Sequence, residues 1–164
     1  MEGVLDGRDR WLVPLSLWGS FLANDGEELL TMAPTTGLSQ THVRVGVATM
    51  DALLTAGTVD GIRTRGRGWL YQDIQLVFGA HGFGHLAGSA LMRRYTTGVA
   101  TSPTVVLPQW WWATRRLRAA GVPRTTRPVR AVAIVGGWLL VSHALGSRAS
   151  AQATRNAGPS GPAF

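Results

Sequence analysis

The sequence predicts an all-α, multi-pass membrane bundle of about five helices, and three observations predict it. Apolar segments of helical length recur along the 164-residue chain, near 11–33, 43–60, 69–92, 99–114 and 129–146. Tryptophans sit beside arginine clusters: Trp69 and Tyr71 follow Arg63, Arg65 and Arg67, and Trp110, Trp111 and Trp112 precede Arg115, Arg116 and Arg118. Aromatic rings next to cationic groups are the pattern of a membrane interface. The third segment carries Gly79, Gly82, Gly84 and Gly88, each costing about 1 kcal/mol in a water-exposed helix, whereas small residues let helices approach closely in a bilayer. The rival fold is a soluble helical bundle, which shares the amphipathic periodicity.

Residues 1–10 mix both signs of charge, with no small-x-small cleavage site after the following apolar run, so that run is expected to be retained. The first segment, 11–33, has Pro34 as a natural stop and so runs through the acidic cluster NDGEE rather than ending before it. The second segment carries Arg44 and Asp51 and the fourth carries Pro103 and Pro108, which makes these two the weaker spans against a requirement of about 20 mostly apolar residues. In the third, Gly84 and Gly88 have GxxxG spacing, the pattern of a close helix contact. The fifth is an apolar span in which His143 is the only polar ring, and the small, polar 147–164 tail reads as disordered.

Sixteen arginines with no lysine, against 9 acidic residues, give a net charge of +7. They fall in short clusters between apolar segments and join no nucleic-acid motif, so the expected partner is a lipid bilayer, with a small-molecule or lipid ligand, and no nucleic acid. In a five-span chain Arg8, Arg10, Arg63, Arg65, Arg67, Arg115, Arg116, Arg118, Arg124, Arg127 and Arg130 share one side, opposite Arg44, Arg93, Arg94, Arg148 and Arg155. Eleven against five puts the N-terminus in the cytoplasm of a cell-membrane protein. With no cysteine, disulfides, thiolate metal sites and cysteine nucleophiles are excluded.

Wound at about 100° per residue, the first segment places Ser16, Ser20, Asn24, Glu27 and Thr31 on one stripe, with Glu28 at its edge and Asp25 away from it, towards the surface. In the third segment His81, His85, Ser89 and Met92 share a face. Imidazoles at i and i+4 can flank one metal ion but need a further ligand. With the first, third and fifth helices parallel, Glu27, His85 and His143 fall at similar depth. Carboxylates inside a span are costly and therefore functional candidates; a solvated helix end is the alternative for Glu27 and Glu28, and packing histidines for His81, His85 and His143. Asp51, Asp73 and Gln75 read as supporting or interfacial groups, and His42 and Arg44 as loop residues.

The stretch NDGEELLTM, followed by GHLAGSALMRRYTTGVATSPTVVLP, resembles the membrane-associated HXXEE-motif family of uncharacterised function over most of residues 11–146. That family is marked by a HxxEE motif, a further histidine and a YxPG motif. The resemblance implies that Glu27 and Glu28 are the motif glutamates, His85 the separate histidine, and Tyr95 and Gly98 the tyrosine and glycine. Asn24 stands where the motif has histidine and Thr97 where it has proline; asparagine neither titrates near neutrality nor replaces imidazole as a ligand. His81 is the one residue placed to substitute for it in space. The resemblance also gives Arg93 and Arg94 a role beside the acidic layer, neutralising a glutamate or holding an anionic head group.

The site residues expected are therefore Glu27, Glu28 and His85, supported by Asn24, His81, Arg94, Tyr95, Gly98 and His143. A divalent metal ion held among Glu27, Glu28, His81 and His85 is the candidate cofactor. Three function classes fit: a metal-assisted or acid/base membrane enzyme, a proton or ion carrier, and a non-catalytic membrane protein whose Glu/His/Arg network fixes helix packing.

Overall fold

In the computed structural model, residues 3–157 are described, and among them every regular element is helical. Helix α1 runs Asp9–Thr36, α2 Gln40–Arg63, α3 Trp69–Met92, α4 Leu107–Ala119 and α5 Pro128–Ala157, with a π-helical turn, Ser102–Val106, leading into α4. All five expected segments are therefore present. Pro34 does not stop α1; the helix ends one turn later at Gly37, whose φ of 77° is the left-handed cap conformation and whose N–H reaches the Ala33 carbonyl. Three residues on, α2 begins where the Ser39 hydroxyl accepts from the His42 N–H. Pro103 and Pro108 do not interrupt the fourth segment but sit at the starts of the π turn and of α4. Lacking an N–H, Pro108 cannot bond back four residues, and the backbone ahead of it widens to the π form. The tail expected to lack structure continues α5 through Ala157, where Ala149, Ala151, Ala153 and Ala157 favour helix; 158–164, like Met1 and Glu2, lies outside the described residues.

The short connections make consecutive helices antiparallel, so α1, α3 and α5 run the same way. At one end the Leu5 N–H donates to Arg65 O and the Gly3 N–H to Gly121 O, tying the N-terminal segment to the α2–α3 and α4–α5 connections. At the other end the Ser39 and Ser150 hydroxyls lie 2.7 Å apart. Helix α2 is central, packed on α1, α3 and α5.

The apolar core joins Leu17 and Phe21 of α1, Leu53 and Leu54 of α2, Tyr71, Ile74 and Phe78 of α3, and Val106. It shares the interior with polar groups: Ser20, Asn24, Asp25, Glu28, Gln72, Asp73, Gln75, Gln109 and Ser142 are all buried. Asp73 bonds the Arg127 N–H at 3.0 Å and pairs with Arg130 at 2.6 Å, and Gln75 and Gln109 bond each other. Large apolar side chains face outward, with Leu30 80%, Leu91 83%, Leu140 72% and Val132 64% exposed. Helices α2 and α5 are long and apolar enough to cross a membrane; α2, the segment that looked weak, extends to 24 residues, about 36 Å. The GxxxG pair does not make a helix contact, since nothing lies within 4 Å of a Cβ built on Gly84 or Gly88. Close approach falls instead at Gly79, against the Trp110 ring, and at Gly82, against Val106 and Leu107.

Candidate functional site

Successive residues on a helix point about 100° apart, and α1 uses this to send its two glutamates to different neighbours. Glu28, buried, faces α3: its Oε1 lies 3.6 Å from His81 Nε2 and 3.4 Å from His85 Nε2, and those two nitrogens are 2.7 Å from each other. The histidines converge because i and i+4 share a helix face, their rings edge-on with centroids 4.1 Å apart. One Nε2 donates a hydrogen to the other, so at least one of the pair is protonated there. Asn24 Nδ2, one turn below Glu28, donates to the same Oε1 at 3.0 Å. The cluster opens on the His81 side, which is half exposed, whereas His85 and Glu28 are largely covered.

Glu27 faces the α3–α4 connection instead. Its Oε1 accepts from the Tyr95 hydroxyl and the Ala100 N–H (3.1 Å), its Oε2 from the Thr101 N–H (2.8 Å) and hydroxyl (2.6 Å). Four donors saturate the carboxylate's lone pairs, so Glu27 clamps this loop onto α1. The bond to Glu27 holds the Tyr95 phenol above its usual range, in the neutral form. The Thr101 hydroxyl also lies 3.0 Å from Asn24 Oδ1, coupling the clamp to the Glu28 cluster. Thr97, in place of a proline, has its hydroxyl 2.7 Å from that of Thr31. Gly98 has φ 77°, and a Cβ there would sit 2.5 Å from His85 Cε1 and Nε2. Glycine is required twice over, by the backbone conformation and by the imidazole lying against it.

The other predicted residues are not gathered here. Arg94 is exposed, and among the described residues no ion pair joins Arg93 or Arg94 to either glutamate; only the Arg94 backbone is engaged, with Ser89. His143 meets α2 rather than the histidines of α3, its Nδ1 3.0 Å from His42 Nε2. His42, read as a loop residue, is buried in the first turn of α2; the Ser39 cap three residues earlier was the signal for it. Asp25, expected near the surface, is 5% exposed, and its Oδ2 is buried without a hydrogen-bond partner. Asp25, Glu28, His42 and His143 line one cavity of about 70 Å³ between α1, α2 and α5. Asp51 serves the interface, accepting from the Trp18 indole at 3.0 Å.

Ligands 2.0–2.1 Å from one tetrahedral ion lie about 3.3 Å apart; the separations of 3.4 and 3.6 Å from Glu28 Oε1 to the two Nε2 atoms are close to that figure, while the two Nε2 atoms, 2.7 Å apart in their hydrogen bond, would have to separate to share an ion. Two imidazoles and one carboxylate form an open donor set with positions left for water or substrate. No curated protein and no solved structure matches the chain. A family described as proteins of unknown function with HXXEE motif has a model that matches residues 17–113, the stretch holding Asn24, Glu27, Glu28, His81, His85, Tyr95 and Gly98. By that match, which spans more than half its length, the chain belongs to the HXXEE-motif family.

Proposed function

We propose that this is a multi-pass membrane protein with a cytoplasmic N-terminus, whose Glu28, His81 and His85 side chains hold a divalent metal ion in a membrane-embedded enzyme. The observation that carries the reading is the meeting of three donor atoms, Glu28 Oε1 and two Nε2, within 4.8 Å of one another. Support for the membrane comes from the inverted surface, with leucine, valine and tryptophan facing outward along α1 and α5 while carboxylates, amides and imidazoles face inward. All eleven arginines of the richer side lie towards the end that holds the N-terminal segment.

A bound divalent ion supplies Lewis acidity to a substrate oxygen and lowers the pKa of a coordinated water. The protein's own part is geometric. Asn24 orients the Glu28 carboxylate, Gly98 supports the His85 ring, and the Glu27–Tyr95–Thr101 clamp fixes the loop that carries Gly98. The half-exposed His81 borders the open side, by which a substrate would reach the site. Metal analysis of detergent-purified protein tests this: stoichiometric metal is expected in the wild type and its loss in Glu28→Gln and His85→Ala. A metal-free wild type, or metal content indifferent to both substitutions, removes the metalloenzyme reading. Recovery of the chain from the soluble fraction without detergent removes the membrane reading.

One observation favours a second reading as a proton or ion carrier. The unpartnered Asp25 Oδ2 and the His42–His143 pair line the same cavity as Glu28, a volume with room for water between ionisable groups. Ion or proton flux in liposomes, abolished in Asp25→Asn, would establish the carrier; its absence leaves the enzyme.

A further inference from the structure

We infer that a second cavity, at the arginine-rich end of the bundle, is a binding site for a phosphate anion, supplied by the head group of an acidic phospholipid. About 180 Å³ of space lies between α3, α4 and the α4–α5 connection, several times the share of a water molecule in the liquid, roughly 30 Å³. Its lining combines apolar side chains, Leu76, Trp110 and Leu117, with two cationic ones, Arg118 and Arg124. Both guanidinium groups belong to exposed residues, and among the described residues neither has a carboxylate partner. The described acids of this end are engaged elsewhere: Asp6 with Arg65, Asp9 with Arg116, Asp73 with Arg130, and Asp60 with the Tyr71 N–H.

Two guanidinium groups that line one cavity, with no carboxylate partner among the described residues, match the charge and the forked acceptor geometry of a phosphate. The apolar wall beside them selects a phosphate that carries hydrocarbon. Trp110 opens the WWW run that reads as the membrane-interface belt, which puts the site at head-group depth on the predicted cytoplasmic side, where basic pockets between helices take anionic lipids. The lipid as the source rests on the membrane reading above; the phosphate chemistry does not.

The test uses the full chain, purified in detergent and stripped of lipid, titrated with short-chain phosphatidylglycerol, short-chain phosphatidylcholine or inorganic phosphate. Binding is read by retained adducts in native mass spectrometry and by the shift in unfolding midpoint. Saturable binding of phosphatidylglycerol in preference to phosphatidylcholine is expected, weakened at least about tenfold in the double variant Arg118→Gln, Arg124→Gln. Thr114→Trp, which fills the cavity without changing charge, should weaken it equally, and it decides the matter if the double variant does not fold. Arg63→Gln, an exposed arginine of the same end outside the cavity, should bind as the wild type does. Inorganic phosphate binding as tightly as the lipid upholds the phosphate site and assigns it a soluble ligand, even if the chain proves not to be in the membrane. No saturable binding of either, equal binding of phosphatidylcholine, or wild-type affinity in both cavity variants overturns the inference.

Discussion

Replacing Glu27 by glutamine, set against the same change at Glu28, separates the two carboxylates that stand side by side in the sequence. Glu27 accepts four hydrogen bonds from Tyr95, Ala100 and Thr101. A glutamine loses the charge assistance of all four, and its amide NH₂ must face either the Thr101 N–H and hydroxyl or the Tyr95 hydroxyl and Ala100 N–H, setting donor against donor. Charge-assisted bonds contribute about 1.5–3 kcal/mol and neutral ones about 0.5–1.5, and an orphaned donor costs a further 1–3. Because Glu27 is only half-buried, solvent recovers part of this, leaving a destabilisation of about 2–4 kcal/mol. For a chain of this size that lowers the unfolding midpoint by about 4–16 °C, measurable by tryptophan fluorescence in detergent. Zinc should still bind Glu27→Gln with affinity within about tenfold of the wild type, since Glu28, His81 and His85 keep their donor atoms. Glu28→Gln should do the reverse, losing zinc by about 100-fold or more with the clamp intact. If Glu27→Gln strips the metal while leaving the midpoint unchanged, the division of labour between the two carboxylates is wrong.

Asn24→His should raise zinc affinity about tenfold or more, because the asparagine amide already lies 3.0 Å from Glu28 Oε1 and an imidazole there adds a fourth ligand; an unchanged affinity by competition titration would refute it. Gly98→Ala should weaken metal binding about tenfold and cost about 1–2 kcal/mol of stability through left-handed strain, since the new methyl displaces the His85 ring; calorimetry with and without zinc checks both. Tyr95→Phe carries a pH signature. The Glu27 bond raises the phenol's folded pKa above 10, so its stabilising contribution is complete below that value and is lost as pH rises through the higher folded pKa. The midpoint difference between wild type and Tyr95→Phe should therefore be present at about pH 8 and vanish in strong alkali; a difference constant across that range would count against the bond.

The helices were legible because their signals are local. The apolar segments placed α1, α2 and α3 to within three residues at each end, but set the start of α4 at 99 instead of 107 and the end of α5 at 146 instead of 157, and the i, i+4 histidines placed two imidazoles on one face. What was not legible depended on neighbours distant in sequence. The wheel put Glu27 on the polar stripe and Glu28 at its edge, which ranks them by amphipathicity, but the partner each meets is set by where the α3–α4 connection folds back. Asp25 looked peripheral on the wheel of a single helix, and only the packing of α2 and α5 over that face buries it. The Gly84/Gly88 spacing misled for the same reason. A small-residue pair licenses a close approach without supplying the approaching helix, and here α4 and the π turn before it arrive about one and a half turns earlier, at Gly79 and Gly82.

The same distinction decides how much the Asn24 departure costs the proposed metal site. A histidine at position 24 would approach Glu28 from one turn below on α1. In this chain the amide of Asn24 takes that place, donating to Oε1 with its own Oδ1 3.0 Å from the Thr101 hydroxyl, a structural use that needs no titration. The imidazole that asparagine cannot provide comes across the helix interface, from His81 at 3.6 Å. On the proposed reading the nitrogen donors at Glu28 are therefore both carried by α3, and the relative position of α1 and α3 becomes the variable that sets metal geometry. Phe21 packing edge-on against Phe78, with ring centroids 6.1 Å apart, lies one turn before His81 on that same interface. Phe78→Ala should accordingly cost about 3–5 kcal/mol of stability as a buried aromatic and also lower zinc affinity, though it contributes no ligand. Loss of stability with unaltered zinc affinity in the folded fraction would mean that the helix pair does not set the site.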